Sequence, residues 1–152
     1  MTRVNARELA VHLIYAWEFS GDEPELVIAT RLEKEYYNQL SVECQVYEER
    51  PSRLQRAYID TVVSGVANRV DEINEIIQKY SIDWDITRIS RLTRTVMQLA
   101  IFESLYLEDV PVGVAISEAV RIVKQYDGSE AAAFVNGILG TFARSLATEV
   151  EE

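Results

Sequence analysis

TVVSGVANRVDEINEII, residues 61–77, is the stretch whose period settles the fold class. Its branched aliphatic residues recur at Val62, Val66, Val70, Ile73 and Ile77, with spacings of four, four, three and four. That series stays on one face of a helix with 3.6 residues per turn. A strand alternates every second residue and cannot produce it. Valine and isoleucine favour strands locally, so the period is the stronger signal here. Asn68 to Asp71 is a candidate interruption that would leave two helices instead of one.

The same period extends outward. Leu9, Leu13, Ala16 and Trp17 form an apolar stripe, with Gly21 just past it as a helix stop. Pro24 opens a second helical stretch carrying Leu26, Ala29 and Leu32. Tyr36 to Arg50 has no clean period and reads as a loop with room for a short helix. Ser90 to Leu107 is apolar on several faces, as a central buried helix is. Glu103 falls on its stripe and reads as a hydrogen-bonded structural glutamate rather than a catalytic acid, because no second carboxylate or histidine shares that stripe. Pro111 fits the first turn of the next helix, which stops at Asp127-Gly128. Ser129 is the expected N-cap of the last helix, striped by Ala131, Val135, Ile138, Phe142 and Leu146. Gly137 and Gly140 cost that helix stability, and their expected use is to let another helix approach closely. The reading is all-α, with six or seven helices packed on one another in a single domain over 1–152.

Bulk properties bound the function. A single cysteine, Cys44, cannot close an internal disulfide, and the start carries no apolar leader, so a reducing cytoplasm is the expected location. No stretch of eighteen residues is free of charge, so no membrane span is expected. The net charge of −10 argues against nucleic-acid binding on average, because phosphate would be repelled. The distribution is uneven, however. Acids crowd Asp22 to Glu49 and the tail, while arginines stand at Arg3 and Arg7 and at Arg88, Arg91 and Arg94. Arginine's planar fork suits phosphate and base edges better than an ammonium does.

Enzymatic chemistry has little to stand on. One Cys and one His cannot build a zinc site. Cys44 sits in an acidic segment that disfavours a thiolate, and the six glycines form no phosphate-cradling loop. No cofactor is expected. What remains is basic and aromatic. Arg88, Arg91 and Arg94 form a ridge at three-residue spacing, and Arg3 and Arg7 share a helix face, with Tyr15 two turns on from Arg7. Guanidinium groups beside exposed rings supply what single-stranded RNA needs, although a solvated charged face is the commoner explanation of such a ridge. His12, one residue from Leu13, reads as a surface or boundary histidine and joins the candidate RNA-contacting set only by its place on the first helix.

Four strings in order resemble the NusB family of transcription antitermination factors. They are Ala6-Arg7-Glu8 leading to Tyr15-Ala16-Trp17; Ser90-Arg91-Leu92-Thr93-Arg94 leading to Phe102-Glu103; Asp109-Val110-Pro111-Val112 leading to Ser117-Glu118-Ala119; and Phe134-Val135-Asn136-Gly137-Ile138-Leu139-Gly140. The resemblance implies two small helical bundles, here roughly 1–80 and 81–152, and no enzymatic activity. It implies binding of the boxA element of ribosomal RNA leader transcripts together with a small-subunit ribosomal protein, NusE. That assembly joins the RNA polymerase elongation complex and suppresses premature termination. Some members form homodimers that cover the RNA surface.

Carried over position by position, the resemblance implies RNA contacts at Arg3, Arg7, Tyr15, Tyr80 and Phe134, and His12 joins that candidate set by its place on the first helix. The resemblance also implies ribosomal-protein contacts at Tyr15, Arg91, Thr93, Arg94 and Glu130. Val4 and Asn5 replace usual basic positions, Ala131-Ala132-Ala133 replaces a polar stretch, and Thr93 stands where the family usually has an acid. Fewer cations and donors imply weak RNA binding by the chain alone, completed by the ribosomal partner. Phe134 and Tyr15 remain open between RNA-facing and packed positions. An alternative is a protein-interaction module on the same fold whose RNA face has been lost to acidic drift. Some RNA methyltransferases carry a similar N-terminal domain, and the polar end Glu149-Val150-Glu151-Glu152 sets the expectation against that case.

Overall fold

The computed structural model describes residues 1–40, 44–82 and 89–151. Among them are eight α-helices, one 3-10 turn and no strand. The helices are α1 (Arg3–Ser20), α2 (Pro24–Arg31), α3 (Lys34–Leu40), α4 (Arg53–Asn68), α5 (Val70–Tyr80), α6 (Arg91–Tyr106), α7 (Val112–Asp127) and α8 (Ser129–Glu151). The chain divides into two compact units, Met1–Asn68 and Arg69–Glu152. The expected boundary near residue 80 therefore falls at 68/69. The reason is that α5 packs on α6 and α8, inside the second unit.

In the first unit α1 lies against α2 and α4. The Thr2 hydroxyl caps α1 by accepting from the Asn5 amide at 3.1 Å. Gly21 ends it at φ +71°, a left-handed conformation that costs glycine nothing. Leu9, Leu13 and Ile14 of α1 and Ile59, Val62 and Val66 of α4 are all fully buried where the two helices pack. The aperiodic segment after α2 holds α3 and the 3-10 turn Gln45–Tyr47. One buried side chain organises it rather than a stripe. The Tyr37 hydroxyl donates to the Glu49 carbonyl at 2.6 Å, its ring meets Tyr47 edge-on at 5.2 Å, and burial pushes its phenol up to about 12.

The second unit is built around α6. Its residues Thr95 to Glu103 are all buried, as a helix apolar on several faces requires. Ser90 caps it by accepting from the Thr93 amide at 3.0 Å. Arg69 lies 4.1 Å over the Tyr106 ring, and the Tyr106 hydroxyl donates to Glu72 at 2.8 Å, which clasps the start of α5 to the end of α6. Gly128, at φ +92°, separates α7 from α8, and its carbonyl accepts from the Ala132 amide at 3.1 Å. The cap of α8 is thus Gly128, and Ser129 already belongs to the helix.

The close-approach expectation fails at Gly140. A Cβ there would meet only Arg144 Nη1 of its own helix, at 3.5 Å, which is ordinary contact. Gly140→Ala should therefore stabilise the chain by roughly 0.5–1 kcal/mol, read as a raised urea midpoint. A loss of stability would mean that the backbone there needs glycine.

Candidate nucleic-acid interface

The first unit contributes the start of α1. The Arg3 guanidinium lies 4.1 Å over the Tyr58 ring and donates its Nε–H to Gln55 Oε1 at 2.8 Å. Both partners come from α4, which α1 packs against. Arg7, one helical turn on, reaches the same ring at 5.8 Å. The two arginines differ in access. Arg3 is half-buried, whereas Arg7 is only 5% exposed. Arg3 can therefore turn its free nitrogens to a phosphate, while Arg7 is mainly an interior cation stacked on Tyr58. Tyr58 escaped the sequence reading. It stands four residues before Val62, on the stripe itself, where an aromatic reads as plain core.

His12 is half-buried, and its Nδ1 lies 2.9 Å from the Tyr47 hydroxyl. Burial is the main cause that lowers its pKa from 6.5, opposed by Glu8 and reinforced by Arg31. A neutral imidazole bonded to a phenol has little to offer a phosphate, so its placement favours a structural role. Tyr15 is half-buried and meets Phe19 edge-on at 5.0 Å. Phe19 is 60% exposed and is the more accessible ring of the pair. The signal that could have found it was spacing, because it follows Tyr15 by one helical turn. Along the helix axis Arg7 and Tyr15 stand about 12 Å apart.

The second unit contributes its own set. Tyr80 ends α5, donates to Ser145 Oγ at 2.7 Å and packs edge-on to Phe142 at 6.1 Å. Phe134 is half-buried in the second turn of α8, with exposed Ala133 and Asn136 flanking the buried Val135. It is neither sealed in the core nor fully open. Glu130 is exposed in the first turn of α8, where a carboxylate also favours the helix dipole. Arg91 and Arg94 are exposed and share the ridge expected of them, while Arg88 lies outside the described residues.

Thr93 is placed otherwise than a contact residue would be. It is 1% exposed, and its hydroxyl bonds to the Asp127 carboxylate, which also accepts from Ser90. Thr93 therefore fixes the end of α7 to the start of α6 instead of facing a partner. The exposed carboxylate at this corner belongs to Asp127, which the sequence reading used only as a helix end.

Residues 4–144 match the sequence model of the NusB family. The chain belongs to the NusB family. It is 38% identical to the transcription antitermination protein NusB of Acetivibrio thermocellus, over 92% of this chain and 87% of that protein. It is 34% identical to the corresponding protein of Thermodesulfovibrio yellowstonii, over 95% and 93% of the two chains. In structure it resembles T. maritima NusB with a TM-score of 0.76 at 25% identity, covering 95% of this chain and 92% of that one. It also shares its fold with a chain from the complex of antitermination factors NusB and NusE with dsRNA, with a TM-score of 0.70 at 24% identity, covering 95% and 99%. This NusB-family chain has the expected all-α class. None of its helices, among the described residues, is long and apolar enough to cross a membrane.

Two outcomes test the placement of the α1 residues. The fold accommodates His12 as the neutral imidazole, so the unfolded chain, with its value near 6.5, binds more protons below that pH. Stability should hold above pH 6.5 and fall as pH drops through the window below it, measured by urea unfolding at pH 7.5 and 5.5. In His12→Gln that part of the pH dependence should vanish, and an unchanged pH dependence would remove the buried-imidazole assignment. Arg7→Ala should cost about 1–3 kcal/mol of stability, because it empties a buried stacked site. Arg3→Ala should cost less than about 1 kcal/mol, and equal costs would contradict the difference in burial.

Proposed function

We propose that this NusB-family chain acts in transcription antitermination by binding a boxA-type element of ribosomal RNA leader transcripts together with the ribosomal protein NusE. The observation that carries the reading is the half-buried Arg3 guanidinium held over the Tyr58 ring at the start of α1, with the interior cation Arg7 on the same ring. In a chain of net charge −10 such a group of cations is a local exception. Exposed Phe19 beside Tyr15 adds a flat face for a base. Arg91, Arg94 and the Asp127 corner supply polar groups for the protein partner.

The role is one of binding and assembly, not catalysis. The chain reaches the RNA polymerase elongation complex through the ribosomal protein, in the cytoplasm. Homodimerisation belongs to this reading as a state that would cover the RNA face. The burial of Arg7 and the lowered pKa of His12 leave few phosphate contacts for the chain alone. The lone protein therefore binds RNA weakly, and NusE completes the surface as a second weak contact acting with the first. The same two observations favour the second reading, a protein-interaction module with little intrinsic RNA affinity.

Titration of boxA RNA with and without NusE separates the two. The first reading expects weak binding alone, tightening at least tenfold with the partner and falling steeply as salt rises. RNA binding that is absent in both arms, with salt-insensitive binding of NusE, would leave the interaction module. Tight binding by the lone chain, unchanged by NusE, would contradict the two-contact mechanism.

A further inference from the structure

We propose that the first turn of α4 extends the RNA face, with Arg53 as a backbone-phosphate contact and Arg56 as its neighbour. This inference rests on the RNA-binding reading and adds residues that the family resemblance did not bring over. Its starting point is a second arginine series, Arg50, Arg53 and Arg56, at three-residue spacing.

The chain start is laid along this series. The Met1 amino group pairs with the Glu49 carboxylate, and Arg3 bonds to Gln55 and stacks on Tyr58. Residues 1–3 are thus anchored on both sides of Arg53. Arg53 stands two residues before Gln55, about 3 Å along the axis but on a different side of α4, so it presents its charge to solvent on the face next to the one that holds Arg3.

The three arginines are not equivalent. Arg50 donates Nη2–H to the Leu32 carbonyl at 3.1 Å and is held there. Arg56 pairs with Asp60 at 3.1 Å, in an exposed i,i+4 contact that holds it only weakly. Arg53 is exposed and makes no ion pair or hydrogen bond among the described residues. Among the described residues it is an uncommitted cation beside one that is already oriented. Across residues 1–3 and 48–60 the amino terminus and four arginines stand against Glu48, Glu49 and Asp60, so this patch is positive on a chain of net charge −10. Val4 and Asn5 leave the start of α1 with few cations, and α4 supplies the charge from the adjoining helix.

A cation of this kind reads phosphate and not sequence. It should contribute affinity and salt dependence equally to boxA and to unrelated RNA. The test titrates boxA RNA and a scrambled RNA of equal length into the full chain with NusE present, between 0.05 and 0.4 M salt. One lost phosphate contact lowers the slope of log K against log salt by about 0.7 and weakens binding about fivefold near 0.1 M. Arg53→Ala should show both changes on both RNAs with an unchanged melting temperature, and Arg53→Glu a larger loss. Lys124→Ala, which removes an exposed charge on α7, should change affinity less than twofold.

Wild-type affinity and slope in Arg53→Ala would overturn the inference while leaving the antitermination reading intact. Arg53→Ala that weakens NusE binding in the absence of RNA, and leaves RNA binding unchanged, would also overturn it and make the patch a protein contact. Equal losses in Arg53→Ala and Lys124→Ala would reduce the effect to net charge and overturn the local contact. Failure of the wild-type chain to bind either RNA would remove the reading on which the inference rests.

Discussion

Helix α1 is enclosed from Ala6 through Val11, and those six consecutive residues include Arg7 and Glu8. A helix buried around its whole circumference cannot leave its charged residues to water. Each must find compensation inside or the fold loses stability. Tyr58 provides part of that compensation for Arg7, and the same ring orients Arg3. What α1 itself can offer a ligand is therefore limited to the places where it reaches solvent. These are its first turn, at Arg3, and its second half, at Tyr15 and Phe19.

The second unit obeys the same constraint with a different solution. Its central helix α6 is buried over nine consecutive residues, so polar groups at its ends carry its connections. At the start, Ser90 and Thr93 bond to Asp127 of α7. At the end, Tyr106 bonds to Glu72 beside Arg69. The Ser90–Thr93–Asp127 corner ties two helices through one carboxylate. The Thr93 hydroxyl draws in the Asp127 carboxylate. An acid thus stands at the corner, delivered by a neighbouring helix.

Charge is distributed on the same principle. A net charge of −10 describes the molecule at long range, whereas binding depends on potential within about a Debye length of the contact, roughly 8 Å at physiological salt. At that range the start of α1 and the first turn of α4 form one cationic neighbourhood.

The helical class was legible in the string of residues, because a period of 3.6 cannot be imitated by strands. Most helix ends were equally legible, since Gly21, Ser90, Pro111 and Gly128 act through their own backbone or side chain on adjacent residues. The ordered motifs identified the family, which residues 4–144 bear out. Tertiary structure alone decided what each candidate can touch. Arg3 and Arg7 look alike in a string, yet one is accessible and the other buried. His12 turns inward to a tyrosine thirty-five residues away, and Thr93 is claimed by Asp127. The fold of Tyr36 to Arg50 also stayed hidden, because it hangs on the burial of Tyr37 and not on a repeat. Periodicity records which face of a helix is apolar. Burial and hydrogen bonding depend on which other helix arrives at that face, and no local spacing encodes that.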